Sequence, residues 1–267
     1  MRKLLLIIPF CLLINNGYSQ EKVMEVGEEL KYKVYFGFIP LGEVTFKVNT
    51  TYAENGKNHY TAKAQIKSLE DIPFVNVNYI FESVMVLDEV DKEKKIYSDK
   101  FTSSEFKEKT ITATQYDFNY KEKYIKVQMD KDGMEVQDFR KVPIDSNTYF
   151  QDGLSLFYDA RIHSFANKNF NVPVFINEQI SSVKYSFNIN QDVTSTGNID
   201  YDVSVIKVAG VADFVGVFGL TGEFVGWLSN DDLRIPIKAN FNVQIGSISL
   251  ELYSYKRKGW NPPKFEK

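Results

Sequence analysis

The sequence predicts a mainly β protein, a large curved antiparallel sheet or partly closed β-barrel with one α-helix at about residues 152–165. Three observations predict it. Period-two alternation of apolar and polar residues recurs on both sides of a single stretch with helical spacing. Aromatic residues occupy 15% of the 267 positions, with 21 Phe and 16 Tyr, side chains that fit a pleated, half-buried surface. No segment rich in Pro, Gly or Ser divides the chain, so residues 20–267 read as one domain.

The first 19 residues stand apart. Arg2 and Lys3 precede an apolar run from Leu4 to Ile14, interrupted only by Pro9, and Asn15 to Ser19 follow with small residues at Gly17 and Ser19. This is the pattern of a secretory signal peptide cleaved after Ser19, since the run is roughly half of the ~20 apolar residues that span a bilayer. A lipid anchor needs a cysteine at the cleavage point, whereas Cys11, the only cysteine, lies in the middle of the apolar run after Ile8-Pro9-Phe10. The mature chain is then expected in the periplasm or secreted, not as a lipoprotein, without a disulfide and with 30 basic against 35 acidic groups. No second stretch is long enough for a transmembrane helix, and no basic stripe marks a nucleic-acid binder.

In the mature chain Leu30, Tyr32, Val34 and Phe36 alternate with Glu29, Lys31, Lys33 and Tyr35, a strand with one buried face. After a turn at Gly37 to Gly42, Val44, Phe46 and Val48 point inward on a second strand. Asn55-Gly56 tolerates the positive φ of a type I′ hairpin turn, and Tyr60, Ala62, Ala64 and Ile66 form the apolar side of a third strand, with His59 on its polar side and exposed. Further strands are expected at Val75 to Leu87, Ile96 to Phe101, Lys109 to Phe118 and Tyr124 to Met129, the last closed by Asp130-Lys131-Asp132-Gly133. The charged segment Asp88 to Lys95 reads as a solvated hairpin tip. Leu154, Phe157, Tyr158, Ile162 and Phe165 then recur at helical spacing behind Asp152, whose carboxylate suits the free N–H groups of a first turn. Alternation returns after Pro173, at Val183 to Ile189, Tyr201 to Val205 and Phe224 to Ser229, and ends in two strands, Ile235 to Ile245 and Ser247 to Tyr255, joined at Gly246.

Catalytic constellations are scarce. His59 and His163 are the only histidines and lack a zinc-ligand spacing, and His163 suits the C-terminal dipole of the helix. No Gly-x-Ser-x-Gly elbow is present. The glycines at 216, 219, 222 and 226 resemble a phosphate loop only superficially, because neither a Lys-Ser or Lys-Thr pair nor a helix follows; in strands they mark bulges or close backbone approach. Ser229 to Asp232 is a turn sequence, with Arg234 placed to pair with Asp231 or Asp232. Glu223, Asp231 and Asp232 near Trp227 are the carboxylates that a glycosidase would need. The candidate ligand or partner residues are therefore Trp227, Asp231, Asp232, Arg234 and Glu223, with no catalytic residue, metal ligand or cofactor assigned.

Three separated segments carry a resemblance: Gly27 to Gly42 (GEELKYKVYFGFIPLG), Gln151 to Arg161 (QDGLSLFYDAR), and Gly226 to Pro236 (GWLSNDDLRIP) followed by Ile245-Gly246-Ser247. In that order they resemble the domain-of-unknown-function 3108 family of exported bacterial proteins. The resemblance implies a β-barrel-like fold shared with capsule-assembly lipoproteins of the YmcC type, from which this chain departs in lacking a lipobox. It implies no activity or catalytic residues.

The expected function is that of a non-enzymatic, exported cell-envelope protein that binds an apolar or amphiphilic ligand, such as a lipid or glycolipid, or an envelope protein. The alternatives are a carboxylate-dependent enzyme acting on envelope polysaccharide and a purely structural partner in outer-membrane assembly. Inward faces of Phe, Tyr, Val, Ile and Leu either pack solid, the commoner outcome, or enclose something apolar. The leader reading predicts that intact-mass measurement on the exported form finds a chain beginning at Gln20; retention of Met1, or a lipid on Cys11, would overturn it.

Overall fold

The structure is a computed structural model that describes residues 20, 22–70, 72, 75–90, 93–243 and 246–266; the expected signal peptide lies outside the described residues. Eight strands come first: β1 (Glu29–Phe36), β2 (Ile39–Glu54), β3 (Lys57–Ser68), β4 (Asn78–Val90), β5 (Glu93–Lys107), β6 (Thr110–Asn119), β7 (Tyr124–Lys131) and β8 (Met134–Pro143). Helix α1 (Ser155–His163) follows. The second run of strands is β9 (Asn169–Ile176), β10 (Gln179–Thr194), β11 (Val203–Ala212), β12 (Gly222–Ser229), β13 (Pro236–Asn242) and β14 (Ser247–Lys256). No helix among the described residues is long and apolar enough to cross a membrane.

All 14 strands form one antiparallel sheet in the order β8-β7-β6-β5-β4-β3-β2-β1-β14-β13-β12-β11-β10-β9. It consists of two hairpin meanders joined where the first strand pairs with the last, Leu30 opposite Tyr255 and Val34 opposite Leu250. The sheet is not closed into a barrel: β8 and β9 are its edges, and among the described residues no ladder joins them. Register shifts within β1–β2, β2–β3, β4–β5, β10–β11 and β12–β13 supply the bulges that let so wide a sheet curl.

The hairpin at Asn55-Gly56 forms as its residues require, with φ of 51° and 76°. Asp132-Gly133 makes the same kind of turn, with φ of 52° and 78°, and leads directly into β8. Gly210 and Gly226 permit close approach on the late strands: a Cβ on Gly210 would meet Lys184 O at 2.4 Å and the Phe224 ring at 2.7 Å, and one on Gly226 would meet Val208 at 2.9 Å. His59 departs from expectation. It is 6% exposed, because Tyr52, its register partner on β2, stacks on the imidazole at a ring separation of 5.0 Å.

Helix α1 is shorter than its apolar periodicity suggests, but the same residues bury it. Leu154, Tyr158 and Ile162 are fully buried against Met85, Ile96, Phe118 and Ile125 of the first meander. Phe157 stacks on Phe46 at 4.1 Å, with Tyr32 edge-on to Phe46 at 5.7 Å, which fixes the helix to β1 and β2. Beside this trio lies a buried charge cluster. Arg161 on α1 donates to both oxygens of Glu28, at 2.6 and 3.1 Å, and to the Leu233 carbonyl at 3.0 Å. Arg257, just past β14, donates to Glu28 Oε2 at 2.8 Å. One carboxylate thus ties the start of β1, the end of β14 and the helix. Removing one partner of a buried ion pair costs about 3–5 kcal/mol, because the charge left behind stays desolvated. Glu28→Ala, which leaves the buried Arg161 without a carboxylate while Arg257 keeps Glu25 at 3.2 Å, should lose stability on that scale in urea denaturation; a loss within the surface-pair range of about 1 kcal/mol would mean that the cluster is solvated.

Candidate functional site: an apolar cavity open at one end

Alternation places one face of every strand toward the inside of the curl. From β1 to β6 that face carries Tyr32, Val44, Phe46, Ala64, Ile66, Phe81, Phe101 and Tyr116. Across from it stand Val183, Tyr185, Val208, Phe224, Ala239, Phe241 and Leu250 of the second meander. These walls do not meet. They enclose a cavity of about 620 Å³, with Gly153, Leu156, Phe157, Ala160 and Arg161 of the α1 segment among its lining. The volume falls within the roughly 300–1,000 Å³ of small-molecule sites.

The α1 segment lines one end of the cavity, and Asn177 and Glu178 of the β9–β10 turn with Gly216, Val217, Phe218 and Leu220 line the other, its mouth. Glu105, Ser103, Thr112 and Thr114 form a polar strip on one wall near the mouth, facing Val217, Phe218 and Leu220 of the β11–β12 connection. Tyr79 donates to Glu105 at 2.5 Å; burial of the phenol and this bond hold the Tyr79 hydroxyl well above its ordinary pKa, so it stays a donor. Among the described residues no group of His, Cys, Asp and Glu side chains is arranged to hold a metal ion.

The seam between the sheet edges is closed by side chains and by the chain that crosses it. Arg140 on β8 donates to the Glu178 carbonyl at 3.2 Å and to its carboxylate at 2.6 Å, while the Glu178 N–H donates to Tyr116 Oη at 3.1 Å. Before the helix, Gln151 bonds through its backbone to Pro173 O and Phe175 N–H on β9, and its side-chain amide donates to Ile96 O on β5. Asp152 follows, fully buried. Its Oδ1 accepts from Leu154 N–H and Ser155 N–H at 2.7 Å each, and its Oδ2 from Ser83 and Ser98 hydroxyls at 2.6 and 2.5 Å. The residue expected to cap the helix does so, and anchors it to β4 and β5 as well.

The residues singled out in the sequence are scattered. Trp227 is half-buried and sits in the cavity wall. Glu223 starts β12 at the mouth end, exposed, accepting from Asn242 at 3.3 Å. Asp231 and Asp232 lie past the other end of β12, roughly 20 Å away along six residues of strand rise, beyond the ~5–10 Å at which paired glycosidase carboxylates work. Asp231 shapes its turn, accepting from Ser229 Oγ and Leu233 N–H at 2.9 Å, from Arg234 N–H at 3.2 Å and from Trp260 Nε1 at 2.7 Å. Asp232 pairs with Lys22 at 2.7 Å on the surface. The Arg234 side chain takes other partners than a carboxylate: it donates to Ser229 O and Asn230 Oδ1 at 3.3 Å each and lies over the Phe165 ring. His163 is held at the end of α1 by Tyr185 Oη at 2.7 Å, stacked on Phe170. The cavity lining itself was visible in the sequence only as apolar faces, with nothing to distinguish lining from packing.

Over residues 31–253 the chain matches the family described as protein of unknown function DUF3108. It belongs to that family. No protein with a curated description matches it. Of solved structures, the DUF3108 chain is similar to a β-barrel-like protein of the unknown-function family DUF1849 from Brucella abortus, at 12% identity and a TM-score of 0.52, over 88% of this chain and 98% of that one. It also aligns with a candidate exported protein of YmcC-like fold from Bacteroides fragilis, at 9% identity and a TM-score of 0.34, over 87% and 97% of the two chains. The first of these supports the β-barrel-like fold of the DUF3108 chain and nothing finer.

Asp152 supplies a prediction for this scaffold. Burial pushes its carboxyl above the ordinary carboxylate range, against the pull of its four hydrogen bonds. A raised folded pKa contributes most stability below the unfolded value of about 3.9 and loses it as pH rises through the raised value. Asparagine has no such titration, so Asp152→Asn should gain on the wild type between pH 3.5 and neutrality in urea midpoints, a window of about three pH units above that reference. Asp152→Ala strands four buried donors and should cost at least roughly 2–4 kcal/mol throughout.

Proposed function

We propose that this protein is a non-enzymatic component of the cell envelope that binds and carries an amphiphilic molecule, a lipid or glycolipid with an acyl or isoprenoid tail. The observation that carries this reading is the cavity of about 620 Å³, walled by aromatic and aliphatic side chains and open at one end. An apolar void of that size in contact with water is unfavourable when filled by solvent, and an apolar occupant relieves it.

The distribution of polar groups orients the occupant. The floor presents Leu156, Phe157 and Ala160, with the lining cations Arg161 and Lys238 committed to Glu28 and Glu251, whereas Ser103, Glu105, Thr112 and Thr114 lie toward the mouth. A tail enters first and a hydroxylated or amide-bearing head remains beside the polar strip, where Glu105 accepts hydrogen bonds. A cavity walled chiefly by sheet strands, with Val217, Phe218 and Leu220 of the β11–β12 connection in its lining, suits carriage better than turnover.

Titration of residues 20–267 with a fluorescent fatty acid should show saturable uptake near one equivalent, and solvent extraction of protein purified from its own compartment should release near-stoichiometric lipid. Ala160→Trp with Ala239→Trp fills the lumen from floor and wall and should weaken uptake at least tenfold while the far-ultraviolet circular dichroism stays β-dominated. An apo mass in the native spectrum together with no fatty-acid uptake would refute the carrier reading.

A further inference from the structure

The two ends of the curled sheet differ in what their connections expose. At the helix end the described tips are mostly polar, at Asn55-Gly56, Glu89 and Glu93, Lys121 to Lys123, and Asn230 to Asp232, with Tyr52 and Val193 the exposed large apolar side chains near them. At the mouth, six connections present an exposed large apolar side chain in or beside the turn among the described residues. These are Phe38 at 91% exposure, Leu69, Ile111, Met134 at 69%, Ile180 and Val215 at 56%. Single exposed apolar residues are ordinary on a protein surface. Their concentration around one opening is not.

We infer that this apolar ring docks the mouth onto the surface of a lipid bilayer. The ring is distributed over separate turns that surround a hole, so it offers no continuous patch for a complementary protein face; a fluid apolar layer conforms to such tips one by one. The tips border an opening that leads, past the polar strip of Ser103, Glu105, Thr112 and Thr114 on one wall, to Phe81, Phe101 and Phe224 inside, so a docked mouth opens the apolar interior toward the acyl layer. Charge at the mouth is mixed in sign: Lys67 pairs with Glu70, Lys107 with Glu105, Arg140 with Glu178 and Lys184 with Asp213, and the exposed Lys109 and Lys131 stand beside the exposed Glu108 and Asp132, so no cationic patch is presented to anionic lipid headgroups. Docking is therefore driven by insertion of apolar tips and is insensitive to salt. Only the traffic through the mouth rests on the carrier reading; the docking stands on the ring alone.

Co-flotation of residues 20–267 with phosphatidylcholine vesicles tests it. The wild type should float with the vesicles at both 0.1 and 0.5 M sodium chloride, concentrations chosen about a factor of two apart in Debye length. The variant Phe38→Ser with Met134→Ser and Val215→Ser should lose at least tenfold in the bound fraction, while keeping its melting temperature and its uptake of monomeric fluorescent fatty acid. Uptake lost with docking intact would remove the carrier reading and leave this one standing. Wild type that stays with the soluble fraction, binding that needs anionic lipid or vanishes at high salt, or binding unchanged in the variant would overturn the inference. So would sedimentation showing that the ring is covered by a second copy of the chain.

Discussion

A single buried carboxylate holds the closed end of this structure together. Glu28 receives a two-pronged bond from Arg161 and a third from Arg257, and these three residues belong to the entry to β1, to α1 and to the exit from β14. The charges have no water to fall back on, so they specify position more than they add stability. What they position is the plug: with Arg161 fixed, Phe157 is placed on Phe46, and the next helical turn places Ala160 on the cavity side. The hollow below the helix exists because the helix is held by its charged and aromatic face instead of sinking into the lumen.

The second constraint comes from the sheet edges. An open sheet of 14 strands leaves two rows of unpaired backbone groups, the usual origin of edge-to-edge association. Here the chain between β8 and β9 has to travel from one edge to the other, and it uses the crossing to bond the β9 edge through the Gln151 backbone. Gln151 bonds to β9 and β5, Asp152 takes up the hydroxyls of β4 and β5, and Arg140 reaches Glu178 across the gap. The seam thus depends on side chains and on the single backbone bridge of Gln151 to β9, whereas every other boundary between neighbouring strands is a backbone ladder. Pro173 on β9 fits this arrangement, since an edge strand tolerates a residue without an N–H, and its carbonyl serves Gln151.

Much of the fold was legible because local chemistry and final structure agree. Asn55-Gly56 allows little but a tight hairpin, and the alternation of Leu30, Tyr32 and Val34 leaves one face to bury. β8 and β9 escaped because their signals conflict with the rule used to find strands: β9 contains Pro173, and β8 runs Met-Glu-Val-Gln-Asp-Phe-Arg-Lys-Val-Pro without clean alternation, as an edge strand does. His59 looked solvated from its place on the strand, and only the cross-strand position of Tyr52 buries it. Arg161 and Glu28, 133 residues apart, each looked like an ordinary surface charge, and nothing local reveals that they meet. The cavity is the deepest omission. A hollow interior and a filled one are written with the same residues, and the difference lies in how far the curl carries one wall from the other.

The pairing of β1 with β14 also fixes an order of events. The first strand of the domain waits for the last, with more than 200 residues of chain between Leu30 and its partner Tyr255. Until that strand arrives, β2 can cover one side of β1 but the other remains open, and Glu28 has no Arg257 to complete its shell. Closure therefore belongs to the finished polypeptide, with the high contact order that makes folding slow and exposes unpaired edges meanwhile. A chain of this design emerging N-terminus first stays incomplete until its end is released, a property that suits delivery as an extended thread and calls for protection of β1 along the way.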